Sequence, residues 1–200
     1  DIRGNVSLLG AGIIDAIAHG LAQQYQTAGQ TRVAIGYDAR ISSPAFADTI
    51  ARIFKDYSLE ATIVGCCSSP MLYFTARQFD GNGIMVTASH NPKEDNGIKW
   101  IIDGEPPCPE MIQQVAQLAK SHCDSQLITL AELPHQIIPE FCLQYQQGIL
   151  EDIQLKRSFK VILDGLHGSA GRCADLVLRK MGCEVIALRC EANGHFPDHA

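Results

Sequence analysis

The stretch Gly83-Ile84-Met85-Val86-Thr87-Ala88-Ser89-His90-Asn91-Pro92, followed by Asn96-Gly97-Ile98-Lys99-Trp100-Ile101, decides the reading of this chain. The run Ile84-Met85-Val86 has the length of a short buried strand and stops abruptly at a hydroxyl, an imidazole and an amide. Pro92 biases Asn91 away from helical geometry, so Ser89 is expected on a sharp, stiffened loop at the strand end. Open α/β sheets place their chemistry at such ends. Asn96-Gly97 has the composition of a tight turn. The strand expected after it puts Lys99 on the opposite face from Ile98 and Trp100, from which its ammonium could lean back over Ser89.

Outward from this loop, strand and helix alternate. Residues 11–28 have helical apolar spacing at Ile14, Ile17, Ala18 and Leu21 and stop at Gly29. A strand follows over 31–37, and Ser43-Pro44 supplies an N-cap and a first-turn proline for a helix to about Tyr57. Residues 59–64 read as a strand, and Ser69-Pro70 opens a helix through Phe79. Pro106-Pro107-Cys108-Pro109 breaks the chain before a helix over 110–121, 125–133 reads as a further strand, and 140–153 reads as a bridging helix. The end of the chain carries one βαβ unit, with strand 160–163, helix 168–181 and strand 183–188. Short strands joined by helices require crossovers. The expected class is therefore α/β, a mainly parallel mixed sheet sandwiched by helices, in two α/β domains, 1–138 and 139–200, the second truncated. One βαβ unit cannot bury both its own faces, so the chain reads as part of a longer protein.

The formal net charge of −6 and the absence of a Lys/Arg cluster argue against nucleic acid as a partner. No apolar stretch approaches the length of a membrane span, and the expected location is the cytoplasm. The 8 cysteines show no CxxC and no zinc spacing, and are read as buried free thiols.

Several of these motifs together resemble the α-D-phosphohexomutases, the phosphomannomutase and phosphoglucomutase family. The Thr87-Ala88-Ser89-His90-Asn91-Pro92 loop resembles the family's phosphoserine loop, Asp1-Ile2-Arg3-Gly4 its amino-terminal signature, and Gly36-Tyr37-Asp38-Ala39-Arg40-Ile41-Ser42-Ser43 its first strand-to-helix turn. Residues 160–171 and Asn193-Gly194-His195-Phe196-Pro197-Asp198-His199 are similar to parts of its second domain. The resemblance implies that Ser89 carries a phosphoryl group and, through that phosphate, meets Mg2+. It implies that Lys99 is the general acid/base, that His90 holds the sugar phosphate or assists proton transfer, and that Arg3 lies by the phosphoserine, where its planar fork suits phosphate oxygens. Asn91 and Arg40 are the substrate-binding candidates, Arg40 either supporting the Ser89 loop or pairing with Asp38.

The implied activity is interconversion of hexose 1- and 6-phosphates of mannose or glucose. Glucose 1,6-bisphosphate or mannose 1,6-bisphosphate would be the intermediate and activator. In the resembled family the metal-binding aspartate loop, the sugar-recognition loop and a phosphate-binding loop lie in later parts, and none of them is found in these 200 residues. The expected partners are thus a hexose phosphate and the missing carboxyl-terminal domains. The alternatives are a noncatalytic sugar-phosphate-binding fragment and a phosphoglucosamine mutase. A serine hydrolase, suggested by adjacent Ser89 and His90, lacks GxSxG, and sequence neighbours rarely form a nucleophile-base pair.

Overall fold

The computed structural model describes residues 1–122 and 133–198, so most of the strand expected over 125–133 lies outside the described residues. Five strands form the main sheet: β1 (Ile2–Asn5), β2 (Arg32–Tyr37), β3 (Glu60–Cys66), β4 (Gly83–Val86) and β5 (Asp95–Ile101). Their order is β1-β5-β4-β2-β3. β2 pairs parallel with both β3 and β4, whereas β5 pairs antiparallel with β4 and with β1. Helices α1 (Ala11–Thr27), α2 (Ser43–Asp56) and α3 (Ser69–Ala76) make the crossovers among β1 to β4, and α4 (Pro109–His122) packs on α1.

Alternation along the strands builds two unequal cores. Val33, Ile35 and Tyr37 of β2, Ile84 and Val86 of β4, and Ile98 and Trp100 of β5 face the large cluster beneath α1 and α2, with Leu21, Tyr25, Phe46 and Phe54. Each such side chain contributes about 1.5–3 kcal/mol on burial. The opposite face carries Ala34, Val64 and Met85 against Met71 and Leu72 of α3. Lys99 is the cross-strand partner of Met85, so it stands on this second face, as the alternation predicts.

Some local expectations are corrected. Asn96 and Gly97 are not a turn but lie inside β5, opposite Gly4 and Arg3 of β1. The chain reverses earlier, over Pro92–Asp95, where the Asp95 N–H donates to the Pro92 carbonyl at 3.0 Å. The Asn96 side chain is fully buried, donating to the hydroxyls of Ser42 and Ser43 at 2.8 and 3.0 Å. Ser43 does not cap α2, because its hydroxyl donates to Asp38 at 2.7 Å. In α3 the cap is Ser68, whose Oγ accepts from the Met71 N–H. The helix expected from Gly168 begins at Gly171. Of the seven described cysteines all are free, but only Cys66, Cys67 and Cys183 are buried, Cys142, Cys173 and Cys190 are partly buried and Cys108 is exposed.

Residues 134–138 strap the end of the sheet, with the Cys66 N–H donating to the Gln136 carbonyl at 2.7 Å. Then α5 (Pro139–Asp152) packs on both α3 and α6 (Gly171–Lys180), its Tyr145 ring 5.6 Å from that of Phe74. The final unit is a parallel pair, β6 (Lys160–Asp164) and β7 (Glu184–Leu188), crossed over by α6. Its sheet leaves Ile162 70% exposed, with Ile186 and Leu188 also exposed, as a two-stranded layer with too little sheet to bury both faces requires. Among the described residues no helix is long and apolar enough to cross a membrane.

Candidate active site

Ser89 sits at the exit of β4 in the left-handed region, φ +58°, and is exposed. A non-glycine residue there is uncommon and persists only when its surroundings impose it. The surroundings begin with Thr87, whose hydroxyl accepts from the Ser89 N–H at 2.9 Å and donates to Asp38 Oδ2 at 2.7 Å. Asp38 directly follows β2 and also accepts from the Arg40 N–H, Arg40 Nε and the Ser43 hydroxyl. Four donors thus fix one carboxylate beneath the loop.

Arg40 is 3% exposed and forms an ion pair with Asp38 at 3.1 Å. Its Nη1 donates to the carbonyls of Pro92 and Asp95, and its Nη2 to those of Ser89 and Asn91. With Nε on Asp38, every guanidinium N–H has a protein partner. Support of the loop and pairing with Asp38, the two roles weighed for Arg40, occur together, and among the described residues they occupy every guanidinium donor.

Arg3 reaches the same loop from β1. Its Nη1 donates to the Ala88 carbonyl at 3.3 Å and to Asn91 Oδ1 at 3.2 Å, while Nε and Nη2 engage Asp1. Asn91 in turn donates through Nδ2 to Asp95 at 3.0 Å. His90 is exposed, with Nδ1 3.5 Å from Ser89 Oγ. Lys99 is half-buried and has no hydrogen-bond or ion-pair partner among the described residues, so the anticipated lean over Ser89 is not realised as a contact. Burial of its stem, and then the charge of Arg3, hold the Lys99 ammonium below the ordinary lysine pKa. A cation so placed gives up its proton more readily.

The loop opens onto a cleft of about 860 Å³ bounded by both units. Thr87, Ser89, His90 and Met85 line one side, and Asp164, Gly168, Ser169 and Phe196 the other. The second unit touches the support of the loop directly, since Gly194 lies so close to Ala39 and Ile41 that a Cβ there would meet the Ala39 carbonyl oxygen at 2.5 Å. Among the described residues no three His, Cys, Asp or Glu side chains converge on a point where a metal could bind. Mg2+ needs near-octahedral oxygen coordination. The described side chains alone do not provide it, and Ser89 through a phosphate would supply one ligand.

Sequence reading named Ser89, His90, Asn91, Arg40, Arg3 and Lys99, and the first five meet at this loop. It assigned no role to Thr87 and named Asp38 only as a candidate partner of Arg40, whereas both hold Ser89 in place. A signal for them was their occurrence at two strand ends, a hydroxyl and a carboxylate where apolar runs stop.

Comparisons with known proteins identify the family. Residues 1–124 match the family described as phosphoglucomutase/phosphomannomutase, alpha/beta/alpha domain I, and residues 143–200 match its alpha/beta/alpha domain II. A phosphomannomutase/phosphoglucomutase of Pseudomonas putida is 33% identical over 201 residues, covering 100% of this chain and 42% of that protein. A phosphoglucomutase of Neisseria meningitidis is 31% identical, covering 100% of this chain and 43% of its own length. The chain thus spans less than half the length of the curated relatives it matches. The crystal structure of a phosphoglucomutase/phosphomannomutase family protein from Burkholderia thailandensis superimposes with TM-score 0.85 at 26% identity, over 100% of this chain and 44% of that one. With both domain families matched in order along it, the chain belongs to the phosphoglucomutase/phosphomannomutase family.

Proposed function

We propose that the complete protein is a phosphohexomutase interconverting the 1- and 6-phosphates of mannose, glucose or both, with Ser89 as the phosphoryl carrier. The observation that carries this reading is the Ser89 hydroxyl itself, exposed at the mouth of the cleft on a backbone held in the left-handed region. A group that must receive and release phosphate on each cycle has to be open to substrate yet fixed in direction. The names of the Pseudomonas putida and Neisseria meningitidis relatives support the substrate class.

In the forward half-reaction a free sugar hydroxyl attacks the phosphorus of phospho-Ser89. The new sugar O–P bond forms as the Oγ–P bond breaks, and the bond pair stays on Oγ. Lys99, held below its ordinary pKa, takes the hydroxyl proton, and His90, 3.5 Å from Oγ, protonates the departing serine oxygen. The bisphosphate so formed reorients and returns its other phosphate to Ser89. Mg2+ would neutralise phosphate charge when bound, and its remaining ligands would come from outside the described residues.

The test is direct. The full-length protein, isolated from cells, should carry one phosphate that peptide mapping places on Ser89, and should convert glucose 1-phosphate to glucose 6-phosphate in the presence of glucose 1,6-bisphosphate and Mg2+. Ser89→Ala should abolish both. Phosphate on Ser42, Ser68 or Ser169 with Ser89 bare would overturn the assignment.

A further inference from the structure

We propose that Arg40 is a positioning residue for transfer at Ser89, setting the direction of the reacting hydroxyl by gathering the carbonyls of the loop around one guanidinium. The inference rests on the phosphohexomutase reading and goes beyond it, because Arg40 touches neither Ser89 Oγ nor the open cleft with a free donor.

The geometry leaves little freedom. Arg40 contacts the carbonyls of Ser89, Asn91, Pro92 and Asp95 at distances between 2.5 and 3.0 Å, so one planar group spans both the Ser89 corner and the reversal that leads into β5. With the carbonyls gathered on a common cation and the N–H groups of Ser89, Asn91 and Asp95 bonded within the loop, the side chains at its tip are left to point outward. This orientation is the one in which Ser89, His90, Pro92, Lys93 and Glu94 face solvent, as they do. Arg40 is itself fixed, because Asp38 binds its Nε and its backbone N–H together. The same Asp38 holds Thr87, which holds the Ser89 N–H, so the carbonyl and the N–H of Ser89 are both tied to one ion pair. A serine restrained at both of its peptide groups keeps a left-handed φ that it would otherwise leave.

Lysine cannot replace this arrangement, since an ammonium is a point with three donors and no fork. It does keep the buried charge opposite Asp38, so Arg40→Lys is expected to fold. In full-length protein shown to be active and phosphorylated at Ser89, Arg40→Lys should lower kcat about 100-fold, the scale of a misplacement near 1 Å, with KM changed less than threefold. Amide hydrogen exchange should speed at residues 88–95 and remain unchanged in α1 and β2. Arg40→Ala, which leaves a guanidinium-shaped cavity, should regain kcat when methylguanidine is added at non-denaturing concentration.

A rise in KM with kcat unchanged would overturn the inference and make Arg40 a substrate contact. Unchanged kcat with faster exchange at 88–95 would overturn it too, showing that the loop needs no fixed direction. The phosphohexomutase reading fails separately, if the wild-type protein lacks phosphate on Ser89 or lacks mutase turnover.

Discussion

Arg3 and Asn91 lie 88 residues apart in the chain and meet at 3.2 Å, the Arg3 Nη1 donating to the Asn91 side-chain oxygen. That bond is possible because β1 lies antiparallel against β5, with Arg3 directly opposite Gly97. Asn91 passes the connection on to Asp95, so a residue expected beside the phosphoserine and one expected to meet substrate hold each other. An amide gripped at both ends has its oxygen and nitrogen assigned by its partners and presents one fixed face to the cleft.

Arg3→Lys removes the fork and keeps the charge. The bonds to Ala88 and to Asn91 come from one nitrogen, whose spacing an ammonium cannot reproduce while also reaching Asp1. Hydrogen bonds to a charged donor contribute about 1.5–3 kcal/mol each, so losing one should cost about 10- to 100-fold in turnover of the full-length enzyme. Steady-state kinetics check it, and a variant within twofold of wild type would show that Arg3 acts only as a charge.

Gly97→Ala tests the contact between β1, β5 and the loop. A Cβ at this position would run into the Ile2 carbonyl oxygen, with the Arg3 Cγ at 2.8 Å and the Thr87 carbonyl at 3.0 Å. Two of these three obstacles are backbone, so the strands must part. We expect a loss of about 2 kcal/mol or more by denaturant unfolding. Release of β1 should also lower activity, since Arg3 leaves with it.

Much of this arrangement was legible in the sequence where period two governs. Ile84 and Val86 against Met85, and Ile98 and Trp100 against Lys99, fall on the faces that alternation assigns. Asn96-Gly97 was misread because a tight turn and a close backbone approach call for the same residue. Here the glycine serves the second, and the asparagine is fully buried on Ser42 and Ser43. β1 gave no strand signal of its own, since its four residues Ile2, Arg3, Gly4 and Asn5 are strand only through pairing with β5. The role of Arg40 was hidden for a related reason. Its partner carbonyls lie 49 to 55 residues away, and carbonyls carry no sequence signature.

The thiols should divide by environment. Burial, and then the charge of Asp38, push Cys66 up to about 12, and burial pushes Cys67 higher still, whereas Cys108 is exposed between Pro107 and Pro109. The thiolate is the reactive form, so at pH 8 iodoacetamide should modify Cys108 first and leave Cys66 and Cys67 intact until the protein unfolds. Mass mapping of the native protein checks this order. Early modification of Cys67 would mean that α3 lifts from the sheet in the native state.

Tyr25 offers a stability test away from the site. Its buried hydroxyl lies 2.9 Å from the Ile101 carbonyl and 3.1 Å from that of Gly83, residues paired across β4 and β5. Tyr25→Phe keeps the ring, which packs edge-on against Phe54, and strips those carbonyls of their donor. The expected cost is about 1–2 kcal/mol with no change in KM. An unchanged unfolding midpoint would show that the carbonyls are satisfied by their strand partners alone.

Lys99 should be held at a cost to stability and used for turnover. Burial and the Arg3 charge lower its folded-state pKa below the 10.5 of an unfolded chain, so between those two values the unfolded state binds more protons than the folded one. Stability contributed by this group therefore rises with pH through that window, and the penalty is present in full below the folded pKa. Lys99→Met removes the charge and keeps an unbranched apolar stem beside Met85. At pH 7 it should raise the melting temperature, and the gain over wild type should shrink as pH climbs toward 10.5. In the full-length enzyme the same change should lower kcat far more than it raises KM, because a proton-transfer group acts in the transition state. A variant that is more stable and nearly inactive would match both expectations. One that loses affinity with kcat intact would make Lys99 a phosphate-holding cation, and one that melts lower than wild type at pH 7 would show that its charge is stabilised by a partner in the folded protein.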